Sequence, residues 1–273
     1  MNYRKLKSLF DRHKGLAIVI MTVVGLSVLS ILSFVFWDQN ILAWQRQNLD
    51  HFSKPLFVKG LVQLGKAWLL IWLLLCWVLL AKCRRKASIA MIALFLLIFT
   101  VLPLKIITHR PRPRDVIKNH TQIDNGSYFF YSWSFPSGDT ASAFAVAAAI
   151  SPFIGWFARS IAFALAGCVG VFRVVSFSHY FSDIFAGAAV GIIVAYLAYR
   201  LVVSRPFLRR DLAKSLNPRI ALAGIIIIPA MAGVFNGIDD LYIFSIFYPP
   251  LVIALYLLSK IKLSHLLSKA YWS

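Results

Sequence analysis

The sequence predicts an all-α fold, a polytopic bundle of transmembrane helices with a six-helix core and two extra C-terminal spans. Three observations predict it. Of 273 residues, 60% are hydrophobic and only 14% charged, against roughly 45–50% apolar and about 25% charged in soluble domains; mean hydropathy is +0.75. Several uncharged runs reach the length of about 20 residues that crosses a hydrocarbon core. The basic residues gather in short segments between those runs, as the positive-inside rule expects.

The same pattern accounts for the formal net charge of +19. No basic helix interleaved with aromatics lies in a soluble region, so nucleic acid is not an expected partner and the bilayer is. All ten acidic residues are Asp, which leaves few carboxylates for chemistry. Cys76, Cys83 and Cys168 have no metal-ligand spacing, and a Cys in an apolar run behaves as a small hydrophobe.

Each element follows in order. Residues 1–15 carry Arg4, Lys5, Lys7, Arg12 and Lys14 against Asp11, and residues 16–37 are uncharged. A secretory signal has an apolar stretch of about 7–15 residues and then a small-residue cleavage site. This run is longer and no such site follows, so it reads as a retained first span with a cytoplasmic N-terminus. Residues 38–56, with Asp38, Trp44, Arg46, Asp50, His51 and Lys54, read as an amphipathic helix along the outer interface. The second span covers 56–81 and includes Lys59 and Lys66, and Lys82 to Lys86 marks a cytoplasmic loop. The third span is 87–104, ended by Lys105. The outer loop 106–138 holds Arg110, Arg112 and Arg114, against the positive-inside trend, which points to a use for that charge. The fourth span is 140–158 with Arg159 at its inner end; the fifth is 160–172 with Arg173 near its outer end; the sixth is 184–201. Arg205, Arg209 and Arg210 make a basic cytoplasmic segment. Two more spans follow, 220–237 and 241–259, with Asp239 and Asp240 in the outer turn and Pro249-Pro250 kinking the last helix. The expected division is a core over 1–204 and an addition over 205–273, with both termini cytoplasmic.

Three polar clusters interrupt this frame, and the topology puts all of them on the outer side. The first runs from Lys105 through His109 and Arg110 to Arg112-Pro113. Pro111 and Pro113 stop a helix, so Lys105 and Arg112 can fold toward one point. The Arg fork suits phosphate oxygens and Lys supplies a compact charge. A basic patch for anionic headgroups is an equal reading of this cluster by itself. The second cluster is Ser134-Phe135-Pro136-Ser137-Gly138-Asp139. It makes a turn into a helix whose first amides and dipole favour an anion, with the Ser137 hydroxyl beside them. A plain N-cap by Ser or Asp is the simpler reading there. The third cluster is Arg173, His179 and Asp183. Positions 179 and 183 are one helical turn apart. A carboxylate so placed can hold the imidazole in one tautomer and leave the other ring nitrogen to attack phosphorus. An interfacial His beside a capping Asp is the bland alternative.

Together the clusters resemble the type 2 phosphatidic acid phosphatase superfamily of integral-membrane lipid phosphatases. The first family motif, Lys, six residues, Arg-Pro, is matched by Lys105 and Arg112-Pro113. The second, Pro-Ser-Gly-His, is matched by Pro136-Ser137-Gly138 but ends in Asp139. The third, Ser-Arg, five residues, His, three residues, Asp, is matched by Arg173, His179 and Asp183, with Phe172 for the leading Ser. The resemblance implies a metal-independent phosphohydrolase needing no cofactor. It implies His179 as nucleophile, Asp183 as its orienting carboxylate, and Lys105, Arg112, Ser137, Gly138 and Arg173 as phosphate ligands.

Asp139 stands where most relatives have a His that gives a proton to the leaving alkoxide. An ordinary carboxyl is ionised at neutral pH. Either Asp139 is kept protonated and remains the catalytic acid, or His109 or His120 serves, or the site only binds. Some bacterial lipid A phosphatases of the superfamily resemble this chain in having Gly-Asp at this point. The expected partner is therefore a phosphorylated membrane lipid, with lipid A or a related glycolipid first. Undecaprenyl diphosphate, phosphatidylglycerol phosphate, phosphoryl transfer between lipids and non-catalytic lipid-phosphate binding are the alternatives. The expected location is a bacterial inner membrane with the site facing the periplasm.

Overall fold

The computed structural model describes residues 3–48, 65–81, 84–117 and 133–204, and every regular element among them is helical. Helix α1 (Tyr3–Leu32) passes through a π turn at Ser33–Trp37 into α2 (Asp38–Asn48). Then come α3 (Ala67–Ala81), α4 (Arg84–Thr108), the short α5 (Pro113–Ile117), α6 (Gly138–Ile150), α7 (Trp156–Val175) and α8 (Phe181–Ser204). Four stretches are long and apolar enough to cross a membrane: Gly15–Asn48, Ala87–Ile117, Trp156–Val175 and Phe181–Val202. The chain is an integral-membrane helical bundle, as expected. His51, Lys59, His120, the basic segment at 205–210 and the two C-terminal spans lie outside the described residues.

The helices depart from the hydropathy boundaries in two informative ways. Helix α4 continues past residue 104 to Thr108, because Lys105 ends the apolar run without ending the helix. Helix α6 is shorter than the expected span at 140–158 and stops at Ile150. Pro152 follows in a 3-10 turn at Ser151–Phe153; its ring and missing N–H forbid another α turn. Arg159, expected at the inner end of that span, lies instead in the first turn of α7. Its guanidinium donates to the carbonyls of Ser151 (3.2 Å) and Ile154 (3.4 Å), closing the break.

Helices α6 and α8 form the centre. Helix α6 packs on α4, α7 and α8, α1 lies on α8, and α3 lies on α4. At about 20 Å, α6 does not reach across a bilayer of about 30 Å; it is enclosed by protein. Its buried face is made of small residues: Ala141, Ala143, Ala145, Ala147 and Ala149. Without a hydrophobic drive between helices in lipid, such residues bind by letting backbones approach. At Gly191 on α8 the two backbones approach closely: an added Cβ would meet the Ala141 carbonyl oxygen at 2.4 Å. Gly191→Val is therefore expected to destabilise the bundle by about 3 kcal/mol or more. Thermal unfolding in detergent checks this, with Gly167→Val as the control because nothing lies within 4 Å there.

Large apolar side chains on the outside, such as Met21, Phe99 and Leu165, are exposed on the isolated chain and suit the bilayer as solvent.

Candidate active site

The polar clusters meet at one end of the central helices. Helix α4 ends because His109 turns into the left-handed region, φ 44°, with its N–H on the Lys105 carbonyl at 3.1 Å. The segment 133–137 then lies along this end. Ser134 N–H donates to the Arg110 carbonyl (2.7 Å), and the Thr108 hydroxyl to the Phe135 carbonyl (3.1 Å). Lys105 Nζ donates to the Trp133 carbonyl and lies 3.5 Å from that of Ser134. The buried Lys105 thus ties the first cluster to the second. His109 is exposed, with its ring 4.5 Å from that of Trp133.

Ser137 is fully buried and is the N-cap of α6. Its N–H donates to the backbone carbonyl of Asp183 (3.1 Å), and its hydroxyl pairs with that of Thr140 (2.9 Å). The N-cap reading of this cluster is therefore realised, and it also locks α6 to α8. Gly138 and Asp139 occupy the first turn, where helix amides face outward. Asp139 makes an ion pair with the buried Arg173 on α7. The Arg173 Nε is itself buried with no hydrogen-bond acceptor among the described residues. A buried guanidinium N–H without a partner is costly, and an anion seated beside it removes that cost. Lys105 lies close enough to Arg112, Arg173, Asp139 and Asp183 to interact with their charges, and Arg112 does so with Arg173 and Asp139.

His179 precedes α8 rather than lying on it, and Asp183 sits in the first turn of that helix. The four-residue spacing still brings them together. His179 Nδ1 is 3.4 Å from Asp183 Oδ2, with both side chains almost fully buried. This is longer than a good hydrogen bond, and catalytic pairs often tighten only around substrate. The turn before His179 is held by Phe177 at φ 54° and by the Ser178 and His179 amides on the Arg173 carbonyl, 3.1 and 3.3 Å. One carbonyl thus joins the Arg173 cation to the His179 turn. Asp183 Oδ2 also accepts from the Tyr180 N–H (2.9 Å) and from the Ser134 hydroxyl, whose oxygen is 3.4 Å from His179 Nδ1.

Three contributors were not singled out from sequence. Ser134 belonged to the second cluster but had no role there. Arg110 belonged to the first, and its Nη1 lies 2.7 Å from Asp183 Oδ1 while its Nη2 lies 2.6 Å from Asp38 Oδ2. Asp38 was read as part of an interfacial helix, yet it is 2% exposed and accepts from Ser182 N–H at 3.0 Å. The one available signal was a lone acid at the end of an apolar run, since intramembrane carboxylates are costly.

Burial pushes the His179 imidazole down from the ordinary 6.5 to about 4; Asp183 opposes this, and Arg112 and Lys105 add to it. His179 is therefore neutral across the physiological range, with a lone pair for nucleophilic attack. The acid limb of log kcat/KM against pH is expected near 4 rather than near 6.5. The unfolded chain binds a proton that the fold excludes, so stability falls as pH drops from about 6.5 toward 4.

No curated protein matches the chain. Among solved structures it is similar to the crystal structure of Aquifex aeolicus LpxE, at 25% sequence identity over 60% of this chain and 94% of that chain, with a TM-score of 0.48. The family model of the PAP2 superfamily matches residues 86–207, the stretch that carries every residue of the three clusters. Over residues 86–207 the chain is therefore similar to the PAP2 superfamily.

Proposed function

We propose that this protein is a membrane phosphatase that removes phosphate from a lipid monoester or diphosphate at the outer side of the inner membrane, through a phosphohistidine. The observation that carries the reading is the buried His179–Asp183 pair at 3.4 Å, set among cations that already act on its charge. Arg173, Arg112 and Lys105 hold the phosphoryl oxygens, with the Gly138 amide and the Ser137 end of α6 beside them. His179 attacks phosphorus with its Nε2 lone pair while Asp183 takes up the Nδ1–H interaction and stabilises the cationic ring. The arriving phosphate monoanion displaces the Asp139 carboxylate from Arg173 and passes it a proton; the P–O bond to the lipid then breaks, and the leaving alkoxide takes that proton from Asp139. Water then attacks the phosphohistidine, returning a proton to Asp139 and releasing inorganic phosphate. Positioning and charge neutralisation, which dominate phosphoryl transfer, are what this side-chain set supplies.

Lipid A or a related glycolipid is the proposed substrate, supported by the Gly138-Asp139 pair that some lipid A phosphatases resemble. The test is phosphate release by the purified protein, in detergent with EDTA, from lipid A, undecaprenyl diphosphate, phosphatidylglycerol phosphate and phosphatidic acid. Lipid A is expected to be turned over fastest. A faster alternative lipid would replace the substrate, and binding of labelled lipid without phosphate release would replace catalysis by binding.

A further inference from the structure

The cluster that the proposed chemistry leaves unused is the chain Asp38–Arg110–Asp183. Arg110 is 13% exposed at its side chain and makes two short ion pairs, one to each carboxylate. Its guanidinium lies 3.8 Å from the centre of the Tyr180 ring and 4.9 Å from that of Phe34. Nη1 also donates to the Ser182 hydroxyl at 2.7 Å, and that hydroxyl in turn donates to Asp38 Oδ2 at 2.5 Å. Asp38 Oδ1 takes the Ser182 N–H (3.0 Å) and the Ser33 hydroxyl (3.2 Å). Ser30 and Gln45, on either side of the π turn, reach the carbonyls of Ser182 and Val174 at 2.9 and 3.0 Å.

We propose that Asp38 and Arg110 are positioning residues for the reaction: Arg110 clamps the outer oxygen of Asp183, Asp38 holds Arg110 in place, and the α1–α2 junction is thereby a working part of the active site. The inference rests on His179 as nucleophile. It reaches beyond the stretch that the family model matches, because Asp38 lies outside residues 86–207.

The geometry divides the labour between the two Asp183 oxygens. Oδ2 faces His179, Ser134 and the Tyr180 amide, and Oδ1 faces Arg110. With Oδ1 held, the carboxylate cannot rotate away when the imidazole becomes cationic. A planar fork does this for two carboxylates at once, which a Lys cannot. Charge matters as well as shape. Asp38, Arg110 and Asp183 together carry one net negative charge beside His179. Removing Arg110 leaves two buried carboxylates with no cation between them, which adds negative charge beside the imidazole and favours its cationic form. Removing the Asp38 charge leaves Arg110 to draw on Asp183 alone. Among the described residues, the other charged or titratable groups around the dyad are Lys105 and Arg112 from the α4 end, Asp139 on α6, Arg173 on α7 and Tyr180. All stay in place in either variant.

The experiment compares wild type, His179→Ala, Arg110→Gln, Arg110→Lys, Asp38→Asn and the double variant Asp38→Asn/Arg110→Gln, measuring kcat and KM for phosphate release across pH. Arg110→Gln is expected to lower kcat about 100-fold with KM within about twofold, because the phosphate ligands are untouched. Its acid limb is expected to move up by about one pH unit, and that of Asp38→Asn to move down. The double variant is expected to recover about tenfold over Arg110→Gln, since the carboxylate repulsion is gone. Arg110→Lys is expected to lose about tenfold in kcat with its acid limb unmoved. If Arg110→Gln does not yield folded protein, Arg110→Lys and Asp38→Asn carry the test by themselves. Unchanged kcat and unmoved limbs in these variants, with wild type active and His179→Ala inert, would overturn the positioning role and leave the nucleophile intact. Activity surviving in His179→Ala would overturn the nucleophile and this inference with it.

Discussion

Replacing His179 with alanine is expected to abolish phosphate release, by about four orders of magnitude or more in kcat. Among the described residues no substitute imidazole is at hand: His109, the other histidine near the site, is exposed and packed edge-to-face against Trp133. The loss should be chemical rather than structural. Asp183 keeps the Ser134 hydroxyl, the Tyr180 N–H and Arg110 without the ring, so its charge remains compensated. Truncating a buried imidazole still leaves a cavity, so the unfolding temperature should fall by several degrees while the protein stays folded. His179→Asn, which fills more of the space, should recover most of that stability and none of the activity. Acid-sensitive, alkali-stable radiolabel from a phosphate-labelled lipid should appear on wild type in a rapid quench and be absent from both variants. A His179→Ala protein retaining even about one per cent of wild-type turnover would exclude the phosphohistidine route.

Much of this cluster's geometry could be read from the chain because its spacing is locally encoded. The i, i+4 spacing of His179 and Asp183 brings the pair together even though His179 lies just before the helix rather than on it. The prolines after Arg110 and Arg112 announced where α4 must give way, and hydropathy marked the apolar frame. What stayed hidden is long-range or set by competing rules. Asp38 meets Ser182 across 144 residues of chain, and no periodicity in either segment encodes that meeting. Hydropathy reports where lipid begins, not where hydrogen bonding ends, so Lys105 was placed after a helix that in fact contains it. Helix α6 was overextended because its apolar run continues through Pro152, where backbone chemistry overrides composition. The Asp139–Arg173 pair joins two helices by charge alone, and either residue in isolation reads as an ordinary helix-end group.

That pair makes Asp139→Asn the most informative change after His179. Asp139 is 27% exposed at its side chain and holds the guanidinium that the proposed reaction assigns to the phosphoryl group. Two consequences of removing its charge run in opposite directions. Arg173 is released, so phosphate-like anions should bind more tightly; the inhibition constant for inorganic phosphate is expected to fall about tenfold, one charge-assisted hydrogen bond's worth. The proposed proton donor is lost as well, so kcat is expected to fall about 100-fold, the lower end of general-acid catalysis. A variant that binds better and turns over worse separates the two roles in one measurement. Asp139→His should restore proton delivery without a carboxylate on Arg173, bringing kcat back to within about tenfold of wild type. The leaving group supplies a further check: for an aryl phosphate, whose oxygen leaves without protonation, the kcat deficit of Asp139→Asn should nearly vanish while the tighter phosphate binding persists. An equal deficit with lipid and aryl substrates would mean that Asp139 serves only to place Arg173, and the proton would then have to come from another group.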